Sequence, residues 1–216
     1  ELPELEKLML HRLSELDKLV RDGYDVFEFK KIARALIDFA NIELSAFYFD
    51  IRKDALYCDA PSSVRRRAAL QVVRILFDRL VTWLAPLLPF TMEEAWLSRY
   101  PKARSVHLEA FRPCDPAWVD DALAERWRQI RRVRRVVTGA LEEERRAKRI
   151  GSSLEAAPVV HVADESLRAL LSGVDLAEIA ITSDIVLTGD TAPHGAFTLP
   201  DTPDIAVVPA RAAGRK

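Results

Sequence analysis

The chain has 216 residues, 49% hydrophobic and 30% charged, with 32 Lys and Arg against 33 Asp and Glu. That length can bury a real core as one large domain or two small ones, and a formal net charge of −1 excludes a protein that coats nucleic acid by bulk charge. No stretch reaches the ~18 consecutive apolar residues of a membrane helix, and two cysteines without a C-x-x-C pair, Cys58 and Cys114, exclude a disulfide framework and suit a reducing compartment.

The acidic start Glu1-Leu2-Pro3-Glu4 passes directly into an amphipathic pattern, unlike a signal peptide, and the absence of an initiator Met suggests a piece of a longer protein. Leu5, Leu8, Met9, Leu13, Leu16 and Val20 recur at helical spacing and predict a first helix stopped at Gly23. Asp25 and Glu28 suggest a capped start for a second. Its stripe would be Val26, Phe29, Ala33, Leu36, Ala40, Leu44, Phe47 and Ile51, in one long rod. A break at Asp59-Ala60-Pro61-Ser62-Ser63 offers a new N-cap. A third helix carrying Ala69, Val72, Val73, Leu76, Leu80, Trp83 and Leu84 then runs to Pro86 and Pro89.

Thr91 and Glu94 suggest the cap of a short helix through Trp96 and Leu97, closed by Pro101. Short connections between these helices imply antiparallel packing. Residues 101–119 read as a proline-bearing linker. A long helix follows over about 120–149, with Leu123, Trp127, Ile130, Val133, Val137 and Leu141 on one face and Gly139 as a mild cost. After Gly151 the pattern turns to α/β. Strands are expected at 158–162, 179–181, 185–187 and 205–208, and a short helix capped by Asp164 is expected to end at Gly173. The predicted fold is mainly α: an antiparallel helical bundle with linker (1–119), a long basic helix (120–150) and a small C-terminal α/β subdomain (151–216).

Charge is uneven along this plan. Glu125 to Arg149 holds ten basic residues against four acidic, whereas Ile150 to Ala210 holds one against nine. Arg128, Arg131, Arg132 and Arg135 share a helix face, and Arg65, Arg66 and Arg67 open an earlier helix. Such rows attract phosphates through charge and counterion release; a solvated face matched to the helix dipole explains them equally well from the pattern alone. Tyr48, Tyr57, Trp83 and Phe90 are the aromatics that could stack on unpaired bases, with core packing the better reading for Trp83.

No catalytic constellation is present. His11, His107, His161 and His194 have no partner at metal-ligand spacing. No G-x-S-x-G, G-x-G-x-x-G or P-loop occurs. Glu142-Glu143-Glu144 is explained by helix ion pairs with Arg145, Arg146 and Lys148. The residues favour a binding module over an enzyme, whether for RNA or as a helical protein-docking module.

Four runs then carry a resemblance. Phe47-Tyr48-Phe49-Asp50-Ile51-Arg52-Lys53-Asp54-Ala55-Leu56-Tyr57 resembles the F-Y-x-D-x-x-K-D-x-L-Y run of the isoleucyl-tRNA synthetase family. Ser63-Val64-Arg65-Arg66-Arg67 resembles that family's next helix start. The stretch from Leu84 to Trp96 resembles its L-A-P-x-x-x-F-T-x-E-E-x-W signature, which valyl and leucyl relatives would also admit, and Ile150 to Ala156 resembles its I-G-S-S-L-E-A run. The resemblance implies an anticodon-binding region in a bacterial, cytoplasmic isoleucine–tRNA ligase that charges tRNA(Ile) using ATP. The H-I-G-H and K-M-S-K-S signatures of the ATP site are absent here, so no catalytic residue or cofactor is expected in this chain. ATP, and zinc in a cysteine-rich unit beyond Lys216, would belong to the parent. Expected partners are tRNA(Ile) and the rest of the synthetase, with no membrane and a monomeric state. The expected phosphate contacts are Arg52, Lys53, Arg65, Arg66, Arg128, Arg132 and Arg135, with no metal ligand.

Overall fold

The computed structural model describes residues 2–214. The α/β subdomain expected over 151–216 includes Arg215 and Lys216, which lie outside the described residues. The chain divides into two compact units, one reaching to Leu123 and one starting at Ala124.

In the first unit every residue of the expected first stripe is buried on α1 (Glu4–Asp25). Glu6, Leu10, His11 and Asp17 are buried as well, so neighbours cover α1 on more than one side. The helix does not stop at Gly23. A Cβ there would lie 2.7 Å from Ile32 Cγ1, so this glycine admits the next helix at close range rather than capping its own. Substituting alanine should therefore destabilise the unit by about 1–2 kcal/mol, overpacking against fully buried Ile32 outweighing the gain in helix propensity. A urea midpoint equal to or above that of the parent would refute the packing role.

The D-x-x-E cap does not form. Asp25 ends α1, Phe27 turns the chain with φ 60°, and α2 (Phe29–Asp38) starts after Glu28 with no side-chain cap. The rod then widens into a π-helix (Phe39–Phe49) and continues as α3 (Asp50–Tyr57). This alters the expected stripe. Val26 and Phe29 are exposed, while Ile32, Leu36, Phe39, Leu44, Phe47, Tyr48 and Ile51 are buried. The five-residue step from Phe39 to Leu44 is the wide turn of the π segment, which spacings of three and four cannot reveal.

Ser63 caps α4 (Val64–Leu84), its Oγ accepting from the Arg66 N–H. Ala69, Val72, Leu76 and Trp83 are buried as expected. The Tyr24 hydroxyl donates to the Trp83 carbonyl at 2.6 Å, so the C-terminal ends of α1 and α4 lie together. α5 (Pro89–Arg99) begins with proline in its first turn, not with a Thr91 cap, and Glu93 instead accepts from Val106 N and Ser105 Oγ. The linker is pinned to the bundle: Arg21 donates to the carbonyls of Phe111 and Arg112, and Arg79 to that of Pro113. Asp120 N donates to Nδ1 of buried His11, which places the imidazole proton on Nε2, and Asp120 Oδ1 accepts from Leu123 N where α6 begins.

α6 (Asp121–Arg146) enters the second unit, where Trp127, Ile130, Val133, Val136, Val137, Ala140 and Leu141 are buried. Gly139 lies against the Phe197 ring, 3.1 Å from where its Cβ would be. The strands β1 (Val159–Val162), β2 (Val186–Thr188), β3 (Phe197–Leu199) and β4 (Thr202–Val208) form one sheet in the order β2-β1-β4-β3. β1 runs parallel to β2 and antiparallel to β4, with Val160 opposite Val207. Asp164 caps α7 (Glu165–Leu171) as expected. The strand expected at Ile179-Ala180-Ile181 is instead the end of α8 (Leu176–Ala180), capped by Asp175 and ended by Ile181 in the left-handed region. β3 was not anticipated. No helix among the described residues is long and apolar enough to cross a membrane.

Candidate nucleic-acid interface

The basic residues singled out from the sequence have different fates. Arg52 is a correction. It is 4% exposed, its Nε donating to Glu6 Oε1 at 2.7 Å and its Nη2 to Oε2 at 2.8 Å. The Tyr48 hydroxyl donates to the same Glu6 Oε1 at 3.1 Å. Burial, followed by the adjacent Glu6 carboxylate, raises the Tyr48 phenol far above its ordinary value and keeps it a donor. A guanidinium this enclosed joins α3 to α1 and cannot meet a phosphate. Tyr48 is withdrawn as a stacking residue for the same reason, and fully buried Trp83 with it.

Lys53 stays at the surface beside Asp50, at 3.3 Å. Arg65 and Arg66 fold the turn before α4. Arg65 holds both oxygens of Asp59, and Arg66 Nη1 donates to the Asp59 carbonyl at 2.5 Å. Arg65 is the main cause of an Asp59 carboxyl held below the usual carboxylate range. Both arginines remain partly accessible, with Nε and Nη2 of Arg65 and Nη1 of Arg66 already engaged. Tyr57 and Phe90 are 82% and 90% exposed and stay available for stacking. The sequence reading missed Phe27, 75% exposed with its backbone in the left-handed region, and exposed Phe29. Both lie at the junction of α1 and α2, where neither helix buries them.

The second unit carries the denser charge. Arg128, Arg131, Arg132, Arg134 and Arg135 of α6 line a cleft of about 490 Å³, completed by Thr138, Asp201 and Thr202. Arg134 Nε reaches across to the Ile179 carbonyl at 2.9 Å, anchoring α6 to the end of α8. Arg128 pairs with Glu125 one turn back. A hydrogen bond from Gln129 and then the Arg128 guanidinium lower the Glu125 carboxyl. Arg132 Nη2 donates to both oxygens of Asp204 at 3.0 and 3.1 Å, and Arg135 Nη2 to Asp201 at 2.6 Å. The Arg135 contact is the main reason the Asp201 carboxyl sits below its ordinary value. These pairs are open to solvent, so they add little to stability. Further along, Arg145, Arg146 and Arg149 pair with Glu142, Glu143 and Glu144, the helix ion pairs expected except that Arg149 stands where Lys148 was anticipated.

Helices that present guanidinium rows and solvent-facing aromatics offer groups suited to phosphates and to unpaired bases. Residues 6–161 match the anticodon-binding domain of tRNA ligase, and the chain belongs to that family. Over its whole length the chain is 70% identical to isoleucine--tRNA ligase of Brucella abortus, 68% to that of Agrobacterium fabrum and 62% to that of Bartonella henselae. It spans 22% of the length of each of these relatives.

Proposed function

We propose that this chain recognises the anticodon stem-loop of tRNA(Ile) within an isoleucine–tRNA ligase whose catalytic work, with ATP, is done elsewhere in the parent. Identity of 70% over the whole of this chain to a 22% portion of a ligase of that specificity carries the reading, and the solvent-open arginine cleft of α6 gives it a physical basis. Arg128, Arg132 and Arg135 are the proposed phosphate contacts of that cleft, Lys53, Arg65 and Arg66 those of the bundle. Arg52 is left out, being enclosed. Exposed Tyr57 and Phe90 offer stacking faces for unpaired bases. Zinc, on this reading, would belong to another part of the parent, which is proposed to act as a monomer in the cytoplasm.

The test is filter binding of the chain to a tRNA(Ile) anticodon stem-loop over a salt series. Replacing Arg128, Arg132 and Arg135 together with glutamine should reduce the slope of log affinity against log salt by about 2–3, since each lost phosphate contact removes roughly 0.7–0.9. An unchanged slope would remove α6 from the interface. Equal, weak binding of the stem-loop and a scrambled hairpin would count against base recognition by this chain.

A further inference from the structure

The α6 cleft is a basic surface that already contains two acids. Asp201 in the turn between β3 and β4 and Asp204 near the start of β4, three apart in sequence, meet two residues three apart on the helix, Arg135 and Arg132. Neither pair is sealed. Exposure is 35% for Arg132 and 40% for Asp204, and 53% for Arg135 and 63% for Asp201. The donors that hold these carboxylates, the Nη2 groups, are also those that would grip a phosphate oxygen, and guanidinium suits both acceptors. An RNA backbone entering the cleft therefore meets occupied arginines.

We infer that Asp201 and Asp204 are selectivity-setting residues of the RNA-binding surface: their carboxylates occupy Arg135 and Arg132 in the free protein and are displaced by phosphates of a correctly shaped RNA. This inference rests on the proposed role of α6 in RNA binding. Once displaced, each carboxylate stays on the cleft wall, where it repels any phosphate not held at the right place. A cleft of bare arginines would hold any polyanion. One holding its own acids demands that a ligand supply enough well-placed contacts to offset both the exchange and the repulsion. Six arginines and no acid lie from Arg126 to Arg135, so the acids that temper this charge must come from outside that stretch. The hairpin supplies them.

The experiment titrates the whole 216-residue chain with a tRNA(Ile) anticodon stem-loop and with a scrambled hairpin across a salt series, following fluorescence anisotropy. Asp201→Asn with Asp204→Asn should tighten the scrambled hairpin by about tenfold at low salt and steepen the salt slope by roughly 1–2, as arginines released from internal pairs take up phosphates. The affinity ratio between stem-loop and hairpin should narrow. Asp201→Glu with Asp204→Glu keeps the charges and should hold the parent slope, which separates charge competition from mere disturbance of the hairpin. An asparagine variant that melts like the parent yet shows unchanged or weaker binding overturns the inference alone. If Arg132→Gln with Arg135→Gln costs no affinity while the parent binds, RNA does not use this face of α6, and both the inference and the reading beneath it fall.

Discussion

Replacing Arg52 with alanine is expected to cost about 3–5 kcal/mol of unfolding free energy in the first unit, the usual penalty for breaking a buried ion pair from one side. Glu6 is 0% exposed and accepts from Nε and Nη2 of Arg52, so removing the guanidinium leaves a carboxylate shielded from bulk solvent beside the Tyr48 hydroxyl. The loss comes from the stranded charge more than from the lost attraction. A triple variant, Glu6→Leu with Tyr48→Phe and Arg52→Met, removes every polar member at similar volume and should recover most of the stability. Urea unfolding followed by circular dichroism measures both. A loss under about 1 kcal/mol for Arg52→Ala would mean that the site hydrates readily and that the pair contributes little.

Truncating Ile130 to alanine should cost the second unit about 2–5 kcal/mol, toward the upper end of that range. Ile130 is fully buried near the middle of α6, with buried Trp127 and Val133 one turn away on either side. A β-branched neighbour and an indole have few alternative rotamers, so the space left by the lost atoms stays largely open. Unfolding curves for the isoleucine and alanine forms give the comparison. A difference below about 1 kcal/mol would show that the α6 face collapses onto the gap. RNA affinity at low temperature should change little, because Ile130 is buried while Arg128, Arg132 and Arg135 keep open faces.

Much of the architecture could be read directly from residue types. α1, α4 and α6 each keep an α-helical stripe, and the Asp164 cap announces α7 in four residues. The misses share one property, that their cause lies outside the local window. Phe39–Phe49 changes the residues per turn without changing composition, so the stripe drifts while the spacing still looks helical. Ile179-Ala180-Ile181 has β-branched residues at both ends, yet the Asp175 cap and packing place it on a helix. β3 is three residues long and has little pattern to show.

The candidate site divides in the same way. The arginine row on α6 follows from spacing alone. Its acidic partners do not, since Asp204 is 72 residues from Arg132 and Asp201 is 66 from Arg135. Arg52 next to Lys53 looked like a surface pair because nothing near it reveals a carboxylate 46 positions earlier.

The wide π turns of Phe39–Phe49 do more than shift a stripe. They act as a vernier between two fixed attachments of the rod, Ile32 seated on Gly23 at one end and Arg52 clasping Glu6 at the other. With both ends anchored to α1, the count of residues between them sets the azimuth at which Arg52 emerges. A homologous chain one residue shorter here would have to tighten to ordinary helical winding or swing its arginine out of line with the carboxylate. Length in this stretch is thus constrained by rotation, independently of which side chains fill it.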